Sequence, residues 1–502
     1  MLKKKKVYIE TMGCQMNKSD TERMLGMLSH LGYEETKVQE EADLLMVNTC
    51  SIRQLSEDKA FSQLGVWGKW KKERALSPRP LGEGRILNEL ASYKNSGEGK
   101  NIKIGITGCV AQQKARKVFS RAPYVDFVLG THKIYSLPDV IKRIEAGERV
   151  CECEETNLPS SNEKGYPINR VKSTNAWINI TEGCNNFCTY CIVPYTRGRE
   201  RSRLPEVIIK EVKDALADGF KEITLLGQNV DSYGKDFARH CEAAQPLPDQ
   251  EVEQAFSGHC EEQSDVAISS KLKNYRLSDL LRDINAIEGK FRIRFVTSYP
   301  TDITDELIQT AVELDKVCEY FHIPMQSGSS RVLKAMNRRY DRETYAKIVE
   351  KVRKMVPDVT ITSDFIAGFP GETEEEFVET LTAIDEFELD YSNVAAYSPR
   401  EKTVAAKWVD KFIPEDVKDE RFQRLNLKVQ ENCLKSNLKY VGREMEVLVE
   451  NFYEHKGKMI NTGKTRNFKT VHIPCDKDLT GEFVNVKISG AKTWYLKGEI
   501  IN

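Results

Sequence analysis

Apolar positions in the first 150 residues alternate between two periods. Runs at 7–11, 43–48 and 102–107 read as strands, while 19–30 and 57–71 carry the three- and four-residue spacing of helices. Short apolar runs separated by helices predict a parallel sheet. The alternation resumes from about 170 to 405, with strands expected at 177–181, 222–226, 292–297, 321–325, 360–365 and 392–397 and helices such as 205–220 and 342–355 between them. Six parallel strands with outer helices predict a partial (β/α)6 barrel. A helical linker is expected over 406–438. The period then breaks into five short strand patterns at 446–451, 458–462, 470–473, 483–489 and 494–501, as in a small OB-like β-barrel. The fold class expected is therefore α/β, divided as 5–150, 170–405, 406–438 and 439–502. Stretches 73–99 and 238–271 lack sustained periodicity and read as surface insertions.

Composition changes this picture little. The 502 residues are 40% hydrophobic and 30% charged, as in an ordinary soluble protein too long for one core. No apolar run reaches the ~18 residues of a membrane span. The basic start Met1-Leu2-Lys3-Lys4-Lys5-Lys6 is followed by an alternating strand pattern containing Glu10, not by the apolar core of a signal peptide. A cytoplasmic protein is expected. The 13 cysteines, an odd number, fit metal ligation in a reducing compartment better than a disulfide framework. A net charge of −1 excludes a uniformly basic nucleic-acid binder, so any RNA contact must be local.

The sharpest chemical signal is the run Thr181-Glu182-Gly183-Cys184-Asn185-Asn186-Phe187-Cys188-Thr189-Tyr190-Cys191. Three thiolates on one short loop can hold three irons of a 4Fe-4S cluster and leave the fourth without a protein ligand. An open iron can chelate the amino and carboxylate groups of S-adenosylmethionine, and one electron then cleaves the sulfonium to a 5'-deoxyadenosyl radical. The spacing departs from ferredoxin runs, and no histidine pair follows at zinc-finger distance. Cys14, Cys50 and Cys109 are a second set, each just past a predicted strand. One strand-end cysteine is unremarkable as a small apolar residue. Three at the carboxyl ends of parallel strands face one crevice and predict a second cluster with its own open iron.

In the predicted barrel, polar and glycine-rich segments lie at the strand ends, the rim that carries active sites in such folds. They supply Gly227, Gln228, Asn229, Ser298, Gln326, Ser363 and Asp364 as candidate cofactor contacts, with Tyr190 from the cysteine loop. Taken alone, Gly227-Gln228-Asn229 is as compatible with a turn. Arg197, Arg199, Arg201 and Arg203 form a basic cluster. Five lysines or arginines between His455 and Lys469, with no acid, suggest a phosphate-contacting face through Lys464, Arg466 and Lys469, or else a solvated hairpin. The pairs His240-Cys241 and His259-Cys260 are spaced too irregularly for zinc. Cys151, Cys153, Cys318, Cys433 and Cys475 have no partner pattern.

Over nearly its whole length the chain resembles the radical-SAM methylthiotransferases. The resemblance is carried by Gly13-Cys14-Gln15-Met16-Asn17, by Asn48-Thr49-Cys50-Ser51-Ile52-Arg53, by the cysteine loop through Pro194-Tyr195-Thr196-Arg197-Gly198, and by His322-Ile323-Pro324-Met325-Gln326-Ser327-Gly328. Two departures are a long gap from Cys50 to Cys109 and Arg400-Glu401-Lys402-Thr403 where Arg-Pro-Gly-Thr is usual. The resemblance implies an N-terminal methylthiotransferase domain, a radical-SAM barrel and a C-terminal TRAM domain, with two 4Fe-4S clusters and S-adenosylmethionine. It implies that Gly227-Gln228-Asn229 hold the methionine amino group. Cys-Gln-Met-Asn and Ile-Arg resemble the branch acting on isopentenyladenosine at tRNA position 37. There, two S-adenosylmethionines per turnover are expected, one methylating a sulfur on the Cys14/Cys50/Cys109 cluster and one generating the radical at C2 of the adenine. Arg197, Arg199 and the terminal barrel would grip the anticodon stem-loop. An electron donor and a sulfur donor, neither identified by the sequence, are implied as partners. The same chemistry on ribosomal protein S12 or threonylcarbamoyl-adenosine, and a non-enzymatic iron-sulfur RNA-binding or electron-transfer protein, remain open.

Overall fold

A computed structural model describes residues 4–51, 54–75, 102–156, 165–237 and 272–501. Ile52, Arg53, the pairs His240-Cys241 and His259-Cys260, and both insertions lie outside the described residues, except 73–75, which continue a helix. The chain divides into two compact units, Met1–Val171 with Ile192–Arg199, and Lys172–Cys191 with Glu200–Asn502.

Among the described residues the first unit is built on six strands: β1 (Lys5–Thr11), β2 (Tyr33–Glu35), β3 (Leu44–Thr49), β4 (Lys103–Gly108), β5 (Phe127–Leu129) and β6 (Val150–Glu152). They pair in the order β2-β1-β3-β4-β5-β6, all parallel. Its helices include α1 (Gln15–His30), α2 (Gln54–Ala75), α3 (Cys109–Lys114), α4 (Lys117–Arg121) and α5 (Leu137–Glu145). Alternate residues of β3 enter opposite cores. Leu44 and Met46 pack with Met24 and Leu28 of α1 and Ile141 of α5, while Leu45 and Val47 pack with Leu64 and Trp67 of α2. A strand covered on both faces reads as a continuous apolar run, which is why β3 stood out in the sequence. The strands β2, β5 and β6 are only three residues each and carried no such signal.

In the second unit β7 (Asn175–Asn179) is followed by a short antiparallel ladder of β8 (Thr181–Glu182) and β9 (Arg201–Ser202). The expected strands follow as β10 (Glu222–Leu226), β11 (Arg292–Phe295), β12 (Tyr320–His322), β13 (Thr360–Ala367) and β14 (Tyr391–Ala396). They form two parallel three-stranded sheets, β7-β10-β11 and β12-β13-β14. The sheets are joined by a parallel Ile293–Val317 bridge and by the Ser298 amide donating to His322 O at 3.0 Å. Residues 400–403 keep a tight turn, with Thr403 N donating to Arg400 O at 3.0 Å, and Lys402 takes a left-handed φ of +80°.

A long helix, Glu415–Leu438, leads to a closed barrel of β15 (Glu444–His455), β16 (Lys458–Thr465), β17 (Thr470–Pro474), β18 (Phe483–Ala491) and β19 (Leu496–Ile500). Two buried arginines on β11 fix this barrel: Arg292 donates to Lys464 O at 2.7 Å, and Arg294 to Thr465 O at 2.8 Å and to the Glu222 carboxylate at 2.9 Å. Here the expected phosphate face needs correction. Arg466 pairs with Glu319 at 2.7 Å, and buried Lys469 pairs with Asp390 at 3.1 Å. Lys464 donates to Thr470 Oγ1 at 2.6 Å, with burial lowering its pKa. All three serve contacts within the protein: Lys469 is buried and Lys464 and Arg466 are half-buried against neighbouring elements, while the hairpin turn at Lys456 and Lys458 is exposed.

Candidate active site

In the first unit the three cysteines follow three adjacent strands. Cys14 caps α1 just after β1, Cys50 follows β3, and Cys109 opens α3 directly after β4. Glycines let these ends approach. Gly13 has φ +134°, and a Cβ there would lie 2.4 Å from Cys50 Cβ; Gly108 has φ +87°, and its Cβ would lie 2.4 Å from Thr49 O. Two asparagines, quoted in the sequence runs without a role, lock the geometry. Asn17 Nδ2 donates to Asn48 Oδ1 at 3.2 Å and Thr49 O at 2.9 Å, and Asn48 Nδ2 returns a bond to Asn17 O at 2.8 Å. Thr49 then accepts from Val110 N at 3.2 Å through Oγ1, tying β3 to the start of α3.

Electrostatics favour ligation. The Cys14 thiol is pushed down to about 6, chiefly by a hydrogen bond with Cys50 and also by the Arg197 charge. Burial pushes Cys109 up, with Arg197 opposing it. Arg197, expected on RNA, is instead buried and donates to Asp20 at 2.8 Å. Its guanidinium supplies positive charge where thiolates collect. Arg199 is exposed. Among the described residues no three His, Cys, Asp or Glu side chains gather on one ion, as mononuclear zinc requires. A cubane asks for less, since each thiolate takes its own iron. A crevice shaped by glycines, with the Cys14 thiol acidified and the Arg197 guanidinium facing Cys14 and Cys109, fits that group.

In the second unit the loop bearing Cys184, Cys188 and Cys191 leaves β8 through Gly183 at φ +79° and turns at Phe187, φ +45°. The turn after the helix Ser330–Ala335 holds it. Thr189 N donates to Met336 O at 3.0 Å, Asn337 Nδ2 to Phe187 O at 3.0 Å, and Arg338 Nη1 to Cys188 Sγ at 3.5 Å. Sequence spacing missed Arg338, which lies 147 positions beyond the last of these cysteines with no motif of its own. Burial pushes the Cys184 thiol up to about 11, so its proton leaves when a metal takes its place. Tyr190 anchors the loop edge-on against Phe369, 6.5 Å between rings.

At the carboxyl ends of β7 and β10 several buried polar atoms have no hydrogen-bond partner among the described residues: both side-chain polar atoms of Asn179, Thr181 Oγ1, Asn229 Oδ1 and Asp231 Oδ2. Buried polar groups are nearly always satisfied, so this cluster fits a polar ligand such as S-adenosylmethionine. A Cβ on Gly227 would strike Thr181 Oγ1 at 2.4 Å, and half-buried Gln228 follows it. Asn229 Nδ2 donates to Asp302 at 2.6 Å, and Ser298 Oγ to Asp231 at 3.1 Å. Burial raises the carboxyls of Asp231 and Glu200 to about 8 and about 7. Thr297 and Gln326 hold φ values of +77° and +78°, strain of the kind that collects at functional sites. Asp364 lies 3.3 Å from His322 Nε2 and accepts from Asn393 at 2.9 Å. Burial would raise its pKa, but His322 and Asn393 bring it below the usual range. Ser363 corrects another expectation: it accepts from Met325 N at 2.9 Å and donates to Ile323 O at 3.0 Å, so it ties β12 to β13 instead of facing a cofactor.

These features agree with known sequences. Residues 178–384 match the Radical SAM superfamily model, 6–77 that of uncharacterized protein family UPF0004, and 438–501 the TRAM domain. A tRNA-2-methylthio-N(6)-dimethylallyladenosine synthase of Clostridium botulinum strain Langeland is 41% identical over 98% of this chain and 96% of its own. One from Clostridium perfringens type A is 41% identical over 99% of this chain and 98% of its own. The solved radical S-adenosylmethionine methyltransferase TsrM from Kitasatospora setae overlaps 80% of this chain and 77% of its own, at 11% identity and a TM-score of 0.48, too loose a likeness to inform the site. With full-length identity at this level and both cysteine sets in place, the chain belongs to the tRNA-2-methylthio-N6-dimethylallyladenosine synthase family of radical-SAM enzymes.

Proposed function

We propose that the protein methylthiolates C2 of N6-isopentenyladenosine at position 37 of tRNA, consuming two S-adenosylmethionines per turnover. The observation that carries this reading is the pair of three-cysteine sets, each one thiolate short of closing a cubane. When bound, the clusters supply an electron and a chelating iron at Cys184, Cys188 and Cys191, and sulfur at Cys14, Cys50 and Cys109. A hydrogen on an aromatic carbon is not acidic, so proton transfer by side chains alone would not open that position.

The chain's own residues bind and orient. Asn179, Thr181, Asn229 and Asp231 offer S-adenosylmethionine the polar partners that their buried atoms lack. Asp231, held neutral near pH 7 by burial, can donate as well as accept a hydrogen bond. Arg338 and Arg197 place positive charge beside Cys188 and beside Cys14 and Cys109, which stabilises the thiolate ligands. For RNA, Arg199 and the exposed Lys456 and Lys458 of the terminal barrel replace the buried basic residues as phosphate contacts. We place the enzyme with its substrate in the cytoplasm; among the described residues no helix is long and apolar enough to cross a membrane. Mass analysis of tRNA nucleosides from cells lacking this protein tests the reading. The methylthio form of isopentenyladenosine should vanish and the unmodified form accumulate; an unchanged nucleoside profile would refute it.

A further inference from the structure

Outside the two triads, Cys151 and Cys153 form a thiol pair that spacing alone left without a role. They lie two apart at the end of β6, the outermost strand of its sheet. Extended backbone turns residues two apart to one face, and both pack against the same core as α2 and α3. Their Sγ atoms share a hydrogen bond at 3.9 Å. Cys153 Sγ also donates to Ala111 O at 3.4 Å, and Gln112 Nε2 donates to Cys153 O at 2.7 Å. The pair therefore rests on α3, the helix that opens with Cys109. Both thiols are partly exposed, whereas Cys318 and Cys433 are buried. They are also unequal. The shared hydrogen bond, helped by Arg116, favours the anion on Cys151, while the same bond and burial keep the proton on Cys153.

We propose that Cys151 and Cys153 are a sulfur-accepting dithiol that takes sulfane sulfur from a persulfide and releases it as hydrosulfide beside α3. The proposal rests on the methylthiolation reading for its purpose, since each turnover consumes a sulfur atom. The Cys151 thiolate attacks the outer sulfur of R–S–SH; that S–S bond breaks, R–S⁻ leaves with the electron pair, and Cys151 becomes a persulfide. Cys153, its proton passed to the departing R–S⁻, then attacks Cys151 Sγ as the thiolate. The bond to the outer sulfur breaks, the Cys151–Cys153 disulfide forms, and hydrosulfide leaves. The two thiols are oxidised by two electrons, and the sulfane sulfur is reduced by the same two. Residues two apart on a strand stand ~6.6 Å between Cα atoms, inside the span a disulfide bridges. A small-molecule dithiol reductant restores the pair.

The test uses the full-length, cluster-loaded chain without oxygen, given glutathione persulfide. Stoichiometric hydrosulfide should appear, and the peptide spanning 151–153 should lose two hydrogens by mass. Cys153→Ser should keep an added sulfur on Cys151 and lose the hydrosulfide burst; Cys151→Ser should take up no sulfur at this site and release no hydrosulfide burst. Iron content and S-adenosylmethionine cleavage should be unchanged in both. Hydrosulfide release from a Cys151→Ser/Cys153→Ser chain equal to wild type, or wild-type sulfur mapping only to other cysteines, would overturn the proposal. Mapping the wild-type peptide needs no variant to fold. Sulfur transfer by this pair in a protein that leaves its stem-loop unmodified would support the dithiol and strike the substrate reading instead.

Discussion

Lys469 separates the role its sequence suggests from the one its surroundings impose. Its ammonium lies 3.1 Å from Asp390 Oδ1 and 2.6 Å from Ser436 Oγ. Both partners of the ion pair are under a tenth exposed, at 7% and 8%. Lys469→Met keeps most of the stem and removes the charge, leaving buried Asp390 with the Ile361 amide at 2.9 Å, the Ser436 hydroxyl and Arg353 at 3.6 Å. Removing one partner of a buried pair costs about 3–5 kcal/mol. Because Arg353 remains, about 3 kcal/mol is expected here, a large share of a typical margin. The pH dependence carries a sign. Burial alone would raise the Asp390 pKa, but Lys469, Ser436 and the Ile361 amide outweigh it and hold it below the usual range. A depressed carboxyl stabilises the fold above its unfolded value, about 3.9, and that contribution is lost as pH falls through the folded value. The difference between wild type and variant should thus be full at neutral pH and shrink below about pH 4. Urea unfolding across pH measures it, and Lys469→Met/Asp390→Asn should recover most of the loss. A variant of unchanged stability whose stem-loop affinity lost about 0.9 in its log–log salt slope would refute this account and restore a phosphate contact.

Gly108→Ala should cost about 1–3 kcal/mol and reduce bound iron from about eight to about four per chain, because its Cβ would meet Thr49 O at 2.4 Å; iron assay on reconstituted protein checks this. Asp231→Asn should flatten a loss of stability with rising pH: burial raises the carboxyl to about 8, so the fold binds a proton that the unfolded chain releases from about pH 4 upward, and denaturant midpoints across that window report it. Replacing Cys14, Cys50 and Cys109 together by alanine should leave 5'-deoxyadenosine formation detectable by chromatography while abolishing methylthiolation, since the other triad stays intact.

Much of the fold was legible because buried parallel strands write themselves as apolar runs, as in Leu44–Thr49 and Glu222–Leu226. The six cysteines proposed as ligands stand out in the sequence for a different reason: three share one loop and three follow strands whose carboxyl ends lie side by side. What failed depended on tertiary cover. Lys464, Arg466 and Lys469 look like a basic hairpin until Glu319, Asp390 and Arg294 are folded onto them. Arg197 looks like an RNA contact until Asp20, 177 positions away, meets it. The Cys151–Cys153 pair was invisible because a three-residue edge strand has no period of its own.

Purified, anaerobically reconstituted protein given S-adenosylmethionine, a reductant and an anticodon stem-loop carrying N6-isopentenyladenosine should replace the C2 hydrogen with a methylthio group, read by nucleoside mass. Ribosomal protein S12 in the same mixture should stay unmodified. Methylthiolation of S12 with the stem-loop left untouched would contradict the substrate assignment.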